Sequence, residues 1–251
     1  MTAGVSREFA YRDKKLGDTE AIRVAAAPDV FYPTSTTVLL LRAARRALEY
    51  RPRTVLDLGC GCGVVGIVLA KRLPPGGMVA ASDLSAGAVR LARDNAARHG
   101  VTIDCRQGSL FEPWGDRRFD LIVDDVAGVA EPLARASGWY PPGVPSDAGP
   151  DGTRWILDVL ASAPDHLSPG GRLIFPLLTL SREAAALEAA RARFAAVELV
   201  EEQWYPLTEA LLAQFSLVEE MAAEGAVQIA KRGSRWCWAT RVYMATGRAR
   251  T

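Results

Sequence analysis

The sequence has little of what marks several protein classes. No stretch approaches the roughly 20 consecutive apolar residues of a membrane-crossing helix. The polar segment from Met1 to Tyr11 has no signal-peptide core. Cysteines are few and irregularly spaced: Cys60, Cys62, Cys105 and Cys237. They form no disulfide framework, and no second Cys or His pair completes a metal site with Cys60 and Cys62. Reduced thiols in a cytoplasmic protein without a bound metal are the expectation. An excess of one charge is also missing, since 30 Lys and Arg against 29 Asp and Glu leave a net charge of +1. A domain that holds RNA or DNA by its phosphates carries a basic excess, so nucleic acid is not the expected partner. Of the two histidines, His99 ends a helix, where a cation suits the dipole, and His166 precedes a turn. Both read as structural.

What the sequence does have is alternation. Short apolar runs at 53–58, 78–82, 102–106, 119–123 and 172–178 read as strands. Between them lie helical patterns at 64–72, 85–99, 153–166 and 182–194. Ser85 and Ser181 read as N-caps and Gly100 as a stop. A strand at 197–202, a helix at 208–224 and a hairpin of 226–231 with 235–245 complete the chain. Alternation over this length implies an α/β protein with a mostly parallel sheet, helices on both faces and ligands beyond the C-terminal strand ends. Residues 1–50 read as a short lid, with a helix-like stretch at 35–49, and 51–251 as the main domain. The Pro- and Gly-rich loop at 128–152 holds Trp139, Tyr140, Pro141, Pro142 and Pro145, and it reads as a cover over the crevice. Trp236 and Trp238 share one face of the last strand, a face for the core or for a homodimer contact.

The most informative stretch is Asp57-Leu58-Gly59-Cys60-Gly61-Cys62-Gly63, between a strand and a helix. Glycine permits a tight turn and a close backbone approach to a ligand. Glycines at every second position after an acid depart from the dinucleotide pattern G-x-G-x-x-G. Asp83, with Leu84 after it, ends the next strand, where a carboxylate can accept both hydroxyls of a ribose. The loop after the third strand, Gly108-Ser109-Leu110, comes to the same crevice.

The pattern D-x-G-x-G-x-G resembles motif I of class I S-adenosylmethionine-dependent methyltransferases. The resemblance implies a Rossmann-like, seven-stranded sheet, with S-adenosylmethionine as cofactor. It implies that Asp57, Gly59, Cys60, Gly61 and Gly63 wrap the methionine part and that Asp83 holds the ribose. Ser109 stands where many relatives accept from the adenine amino group with Asp, and its hydroxyl can also accept. Over about residues 30–180 the chain further resembles the HemK/PrmC-like group, the glutamine N-methyltransferases of peptide release factors. Val30-Phe31-Tyr32-Pro33-Thr34-Ser35-Thr36-Thr37 is similar to that group's gating segment, which implies cofactor contacts from Tyr32 and Thr37. Phe119-Asp120-Leu121-Ile122-Val123, Glu131-Pro132 and Gly149-Pro150-Asp151-Gly152 match further elements of it.

One departure shapes the functional expectation. Where the group has N-P-P-Y, this chain has Asp125-Val126-Ala127-Gly128. An ionised Asp accepts only and carries charge, which points to a cationic amine or hydroxyl rather than a neutral amide. About 50 residues precede the core, too few for the group's docking domain. The resulting expectation is methyl transfer to the amine or hydroxyl of a small molecule of specialised metabolism. Asp125, Asp124 and Tyr140 are the candidate catalytic residues. Two alternatives stay open. One is a protein or RNA N-methyltransferase; the other is a reaction that cuts a different sulfonium bond, such as cyclisation to azetidine-2-carboxylate.

Overall fold

A computed structural model describes residues 7–140, 144 and 146–249. Pro141, Pro142 and Pro145 of the expected cover loop lie outside the described residues. Five strands run parallel: β3 (Thr54–Leu58), β4 (Met78–Asp83), β5 (Ile103–Gln107), β6 (Phe119–Asp124) and β7 (Leu167–Leu178). With β8 (Phe194–Pro206) and β10 (Arg235–Arg248) they form a sheet in the order β5-β4-β3-β6-β7-β10-β8, and β10 is antiparallel to both neighbours. The short β9 (Ala230–Arg232) pairs with β10 across the expected hairpin. An antiparallel pair, β1 (Glu8–Tyr11) and β2 (Ile22–Ala25), stands apart from this sheet. The fold is therefore the expected α/β one, a mostly parallel sheet of Rossmann-like type.

Burial on both faces explains why the central strands are continuous apolar runs. One face carries α1 (Ser35–Arg46), α2 (Val64–Ala70) and α3 (Ala86–Arg98), with Leu40, Leu41, Ile67 and Val68 fully buried. The other carries α5 (Arg154–His166) and α6 (Glu183–Arg193) over Phe119, Leu173 and Phe175. A third cluster lies under α4 (Glu131–Ser137), α7 (Glu209–Leu212) and α8 (Phe215–Ala223), joined by Leu178 and Trp238.

Several local expectations need correction. The loop at 128–152 contains α4, because Glu131 and Pro132 suit a first helical turn and Leu133 with Ala134 supply a buried face. Ser181 does not cap α6: its hydroxyl donates to the Leu178 carbonyl at 2.7 Å. The helix expected at 208–224 is two helices, broken at Ala213 and Gln214. His99 meets the Arg23 carbonyl, and His166 stacks on Phe111 with centroids 4.3 Å apart, so both are structural.

The N-terminal segment is tied to the body through α1. Arg42 pairs with Asp13 at 2.6 Å, while Arg45 and Arg72 both reach Asp18, at 2.7 and 3.0 Å. The start of α1 is a reciprocal cap: Thr34 Oγ1 accepts from the Thr36 N–H, and Thr37 Oγ1 accepts from the Thr34 N–H. Thr34→Ala removes the N-cap and should lower stability by about 1 kcal/mol. Urea unfolding checks this, with a lower midpoint and an unchanged m-value expected.

Candidate functional site

A cavity of about 420 Å³ opens at the C-terminal ends of the parallel strands. Three groups of residues build it. The first is the loop from β3 to α2. Gly59, Gly61 and Gly63 all have positive φ, at 71°, 50° and 81°. At Gly59 a Cβ would come within 3.0 Å of the Asp125 carbonyl oxygen, and at Gly63 within 2.9 Å of the Ala92 Cβ. Only glycine allows this loop to turn so tightly against α3 and the end of β6.

The second group holds the loop in place. The Asp83 carboxylate accepts from the Gly61 N–H at 2.9 Å through Oδ2 and from the Ser85 N–H at 2.8 Å through Oδ1. Burial raises its pKa, and the two backbone donors oppose that rise. Each oxygen has a further lone pair, and Asp83 lines the cavity together with Leu84, Ser109 and Leu110. Leu110 has a φ of 48°, unusual for a residue with a side chain, and its carbonyl accepts from Ser82 Oγ.

The third group is the far wall. Asp125, just beyond β6, is pinned by its N–H to the Leu58 carbonyl at 2.9 Å. Its Oδ2 accepts from Thr37 Oγ1 at 3.0 Å. Thr37 is thus both a helix-capping residue and the anchor of Asp125. Burial pushes Asp125 up to about 6, against the lowering effect of the Thr37 hydrogen bond. Tyr140 packs its ring on Phe31 with centroids 5.2 Å apart. Burial, with the Asp125 charge nearby, raises the phenol far above its usual range, so it stays protonated.

Not every expected site residue reaches the cavity. Asp57 and Asp124 are buried behind it. Asp57 Oδ2 accepts from the Gly66 N–H at 2.9 Å and fastens α2 to β3. Burial first, then the neighbouring carboxylates, pushes Asp57 and Asp124 each up to about 8. Cys60 and Cys62 line the cavity with thiols raised by burial, Cys62 to about 12, so neither is a thiolate at neutral pH. Tyr32 turns the other way, its hydroxyl donating to the Glu8 carbonyl at 2.9 Å and its ring lying under Arg7. The residues missed from the sequence are Asp29, Phe31, Trp155, Tyr205 and Trp238. Tyr205 and Trp238 are register partners in β8 and β10, and their rings meet at 5.1 Å. Trp139 joins them, 5.4 Å from Trp238.

The charge of this lining bears on what it accepts. Asp29, Asp83 and Asp125 face the cavity, and none of its described lining residues is Lys or Arg. An acidic, partly aromatic crevice suits a cation with a ribose. S-adenosylmethionine, a sulfonium with an amino group, fits these residues.

Residues 22–125 match the family model of the Methyltransferase small domain. A release factor glutamine methyltransferase of Geobacter sulfurreducens is 38% identical over 154 residues, which are 60% of this chain and 54% of that protein. A ribosomal protein uL3 glutamine methyltransferase of Bradyrhizobium diazoefficiens is 38% identical over 129 residues, 48% of this chain and 39% of that one. The chain thus spans about half the length of the curated relatives it matches. A 16S rRNA methyltransferase of T. thermophilus, solved in complex with AdoMet and guanosine, shares the fold at TM-score 0.58 and 20% identity, over 96% of this chain and 50% of that one. In sequence over residues 22–125 and in fold, the chain is similar to class I S-adenosylmethionine-dependent methyltransferases, and S-adenosylmethionine is the cofactor that its glycine loop and Asp83 fit. Within that class it is similar to the HemK/PrmC-like glutamine methyltransferases, without their N-P-P-Y motif.

These relatives overturn the expected small-molecule acceptor, because both carry glutamine methyltransferase names that specify proteins. The expectation rested on the charge of Asp125 and on the short stretch before the core, and the charge does not exclude an amide. A carboxylate offers an acceptor oxygen where asparagine offers its carbonyl, and a charge-assisted bond from a neutral amide N–H is a strong one. No described helix is long and apolar enough to cross a membrane.

Proposed function

We propose that the chain methylates the side-chain amide nitrogen of a glutamine in a protein of the translation machinery, in the cytoplasm. The observation that carries this reading is the shared cavity of the glycine loop, Asp83 and Asp125, the last held by Thr37 where relatives place their amide-orienting asparagine. Bound S-adenosylmethionine supplies an activated methyl group. The chain supplies position and polarity. Gly59 to Gly63, with Cys60 and Cys62 in the same lining, form the bed for the methionine part, and Asp57 stiffens that bed through Gly66. Asp83 accepts from the ribose hydroxyls, and Leu84, Ser109 and Leu110 border the adenine.

Asp125 accepts an N–H of the acceptor amide. It thereby orients the nitrogen, favours the positive charge that develops there as the C–N bond forms and the methyl–sulfur bond breaks, and takes the proton that the nitrogen then loses. Tyr140, held protonated, donates to the amide carbonyl, so acceptor and donor face the two ends of one carboxamide. Trp139, Tyr205 and Trp238 wall the approach, where they exclude water and flank the aliphatic stem of the side chain. Asp124, uncharged at neutral pH, supports the turn by accepting from the Val126 N–H. The segment at 30–37, with Trp139 and Tyr140 after α4, borders the bound cofactor.

The test uses the purified chain with S-adenosylmethionine and either release factor or ribosomal protein uL3. Peptide mass spectrometry should find one glutamine heavier by a methyl group, with S-adenosylhomocysteine as co-product. No modified glutamine in either protein, while S-adenosylhomocysteine still binds, would overturn the acceptor assignment. Methylthioadenosine as the product would overturn methyl transfer itself.

A further inference from the structure

At the opposite end of the sheet, the turn entering β3 meets the turn inside β7. A second cavity of about 310 Å³ lies there, bordered by Tyr50, Arg51, Arg53, Asp120, Gly170 and Arg172. The five residues of β3 separate it from the glycine loop, roughly 16 Å at the usual rise per strand residue.

The arginines of this cavity are unlike the others that anchor the fold. Arg42, Arg45, Arg72 and Arg241 each sit on a carboxylate. Arg51, Arg53 and Arg172 make no ion pair among the described residues. The Arg172 guanidinium carbon lies over the Tyr50 ring, 3.5 Å from its centroid. Its Nε is buried without a partner, and Nη1 donates to the Gly170 carbonyl at 2.9 Å. The one carboxylate present, Asp120, is engaged by the backbone, where its Oδ2 accepts from the N–H groups of Arg53 at 2.8 Å and Thr54 at 3.0 Å. Arg53 turns its guanidinium to the Pro75 carbonyl at 3.4 Å, which leaves Arg51 and Arg172 at the cavity beside one occupied carboxylate.

Arg51 adds a second kind of observation. Its φ is 55°, in the left-handed region where a side chain is strained and glycine is relaxed. It closes the turn before β3, its N–H donating to the Leu48 carbonyl at 2.9 Å.

We propose that this cavity binds a phosphate group. Planar guanidinium forks match phosphate oxygens two at a time, and Arg172 and Arg51, without an ion pair among the described residues, attract a compact anion. With a net charge of +1, the chain has no general basic excess to track a polynucleotide. The chemistry is therefore that of one phosphate, either free or at the end of a polynucleotide.

The experiment is calorimetric titration of the full chain with inorganic phosphate, at constant ionic strength against chloride. A second arm uses a short RNA with and without a 5′-phosphate. Saturable binding of inorganic phosphate is expected. Arg172→Gln and Arg51→Gly should each weaken it by about tenfold, the scale of one lost charge-assisted contact. S-adenosylhomocysteine affinity should not change in either variant. Because Arg51→Gly relaxes the backbone, its Tm should not fall, which separates lost binding from lost folding. RNA that binds only with its 5′-phosphate, in competition with inorganic phosphate, would identify a polynucleotide end as the source; inorganic phosphate that binds alone would identify a free one. No saturable signal from either probe, or binding that survives both substitutions, would overturn the proposal.

Discussion

Asp83→Ala should weaken S-adenosylhomocysteine binding by about 10- to 100-fold, the range for losing hydrogen bonds to a charged acceptor. Isothermal titration measures it. The carboxylate is given two tasks, since its oxygens already hold the N–H groups of Gly61 and Ser85 and each keeps a further lone pair. Alanine therefore removes the ribose acceptor and loosens the glycine loop together. A cofactor analogue without its 2′-hydroxyl separates the two effects in a double-mutant cycle. If the ribose donates to Asp83, the analogue loses affinity against the native chain and loses much less against Asp83→Ala. Equal losses in both backgrounds would show that Asp83 only shapes the loop. Asp83→Asn should fall between, because it keeps one acceptor oxygen and loses the charge.

The parts of this site that were legible in the sequence are contiguous. The glycine loop and Asp83 occupy fixed places after two successive strands, and strand–turn–helix geometry carries them to one point. The parts that were not legible depend on phase or on register. In the extended segment before α1, Phe31 and Pro33 line the cavity while Tyr32 between them points to the N-terminal hairpin. Side chains alternate in extended backbone, and a motif does not state its phase. The same alternation separates Asp124 from Asp125 at the end of β6, one behind the wall and one in it. Tyr205 and Trp238 meet only because β8 and β10 pair in one register, and no local pattern near either announces a crevice. The helix α4 was hidden for another reason. Its stretch is rich in breakers, and the helix-starting value of Glu131-Pro132 shows only once Leu133 and Ala134 have a surface to cover. The acceptor was misread from one residue's charge, where the geometry of acceptor oxygens is the more general quantity.

Asp125 should give the reaction a pH dependence that its relatives with asparagine lack. Burial pushes this carboxylate up to about 6. The ionised form accepts the acceptor's N–H, so activity should rise with pH through about 6. At pH 5 roughly a tenth of the sites would be ionised, and at pH 7 roughly nine-tenths. Initial rates between pH 5 and 8 at saturating cofactor measure this. Asp125→Asn keeps an acceptor oxygen without a titrating proton, so its profile should be flat across that range, with a plateau below the native one because the developing positive charge loses its counter-charge. Asp125→Ala removes the contact altogether and should lower turnover by on the order of 10²–10³-fold, the scale for one preorganised polar contact to a reacting group. S-adenosylhomocysteine affinity should stay near native, since the contact is to the acceptor. Thr37→Val deletes the hydrogen bond that favours the ionised form, so its profile should shift toward higher pH. Asp124 is the internal control. It is pushed up to about 8 and is uncharged at neutrality, so Asp124→Asn should leave the rise in place. Adjacent carboxylates titrate together, and the two variants assign the rise to one of them. A profile abolished by Asp124→Asn and kept by Asp125→Asn would move the acceptor contact to Asp124, and a native profile flat across the range would remove it from both.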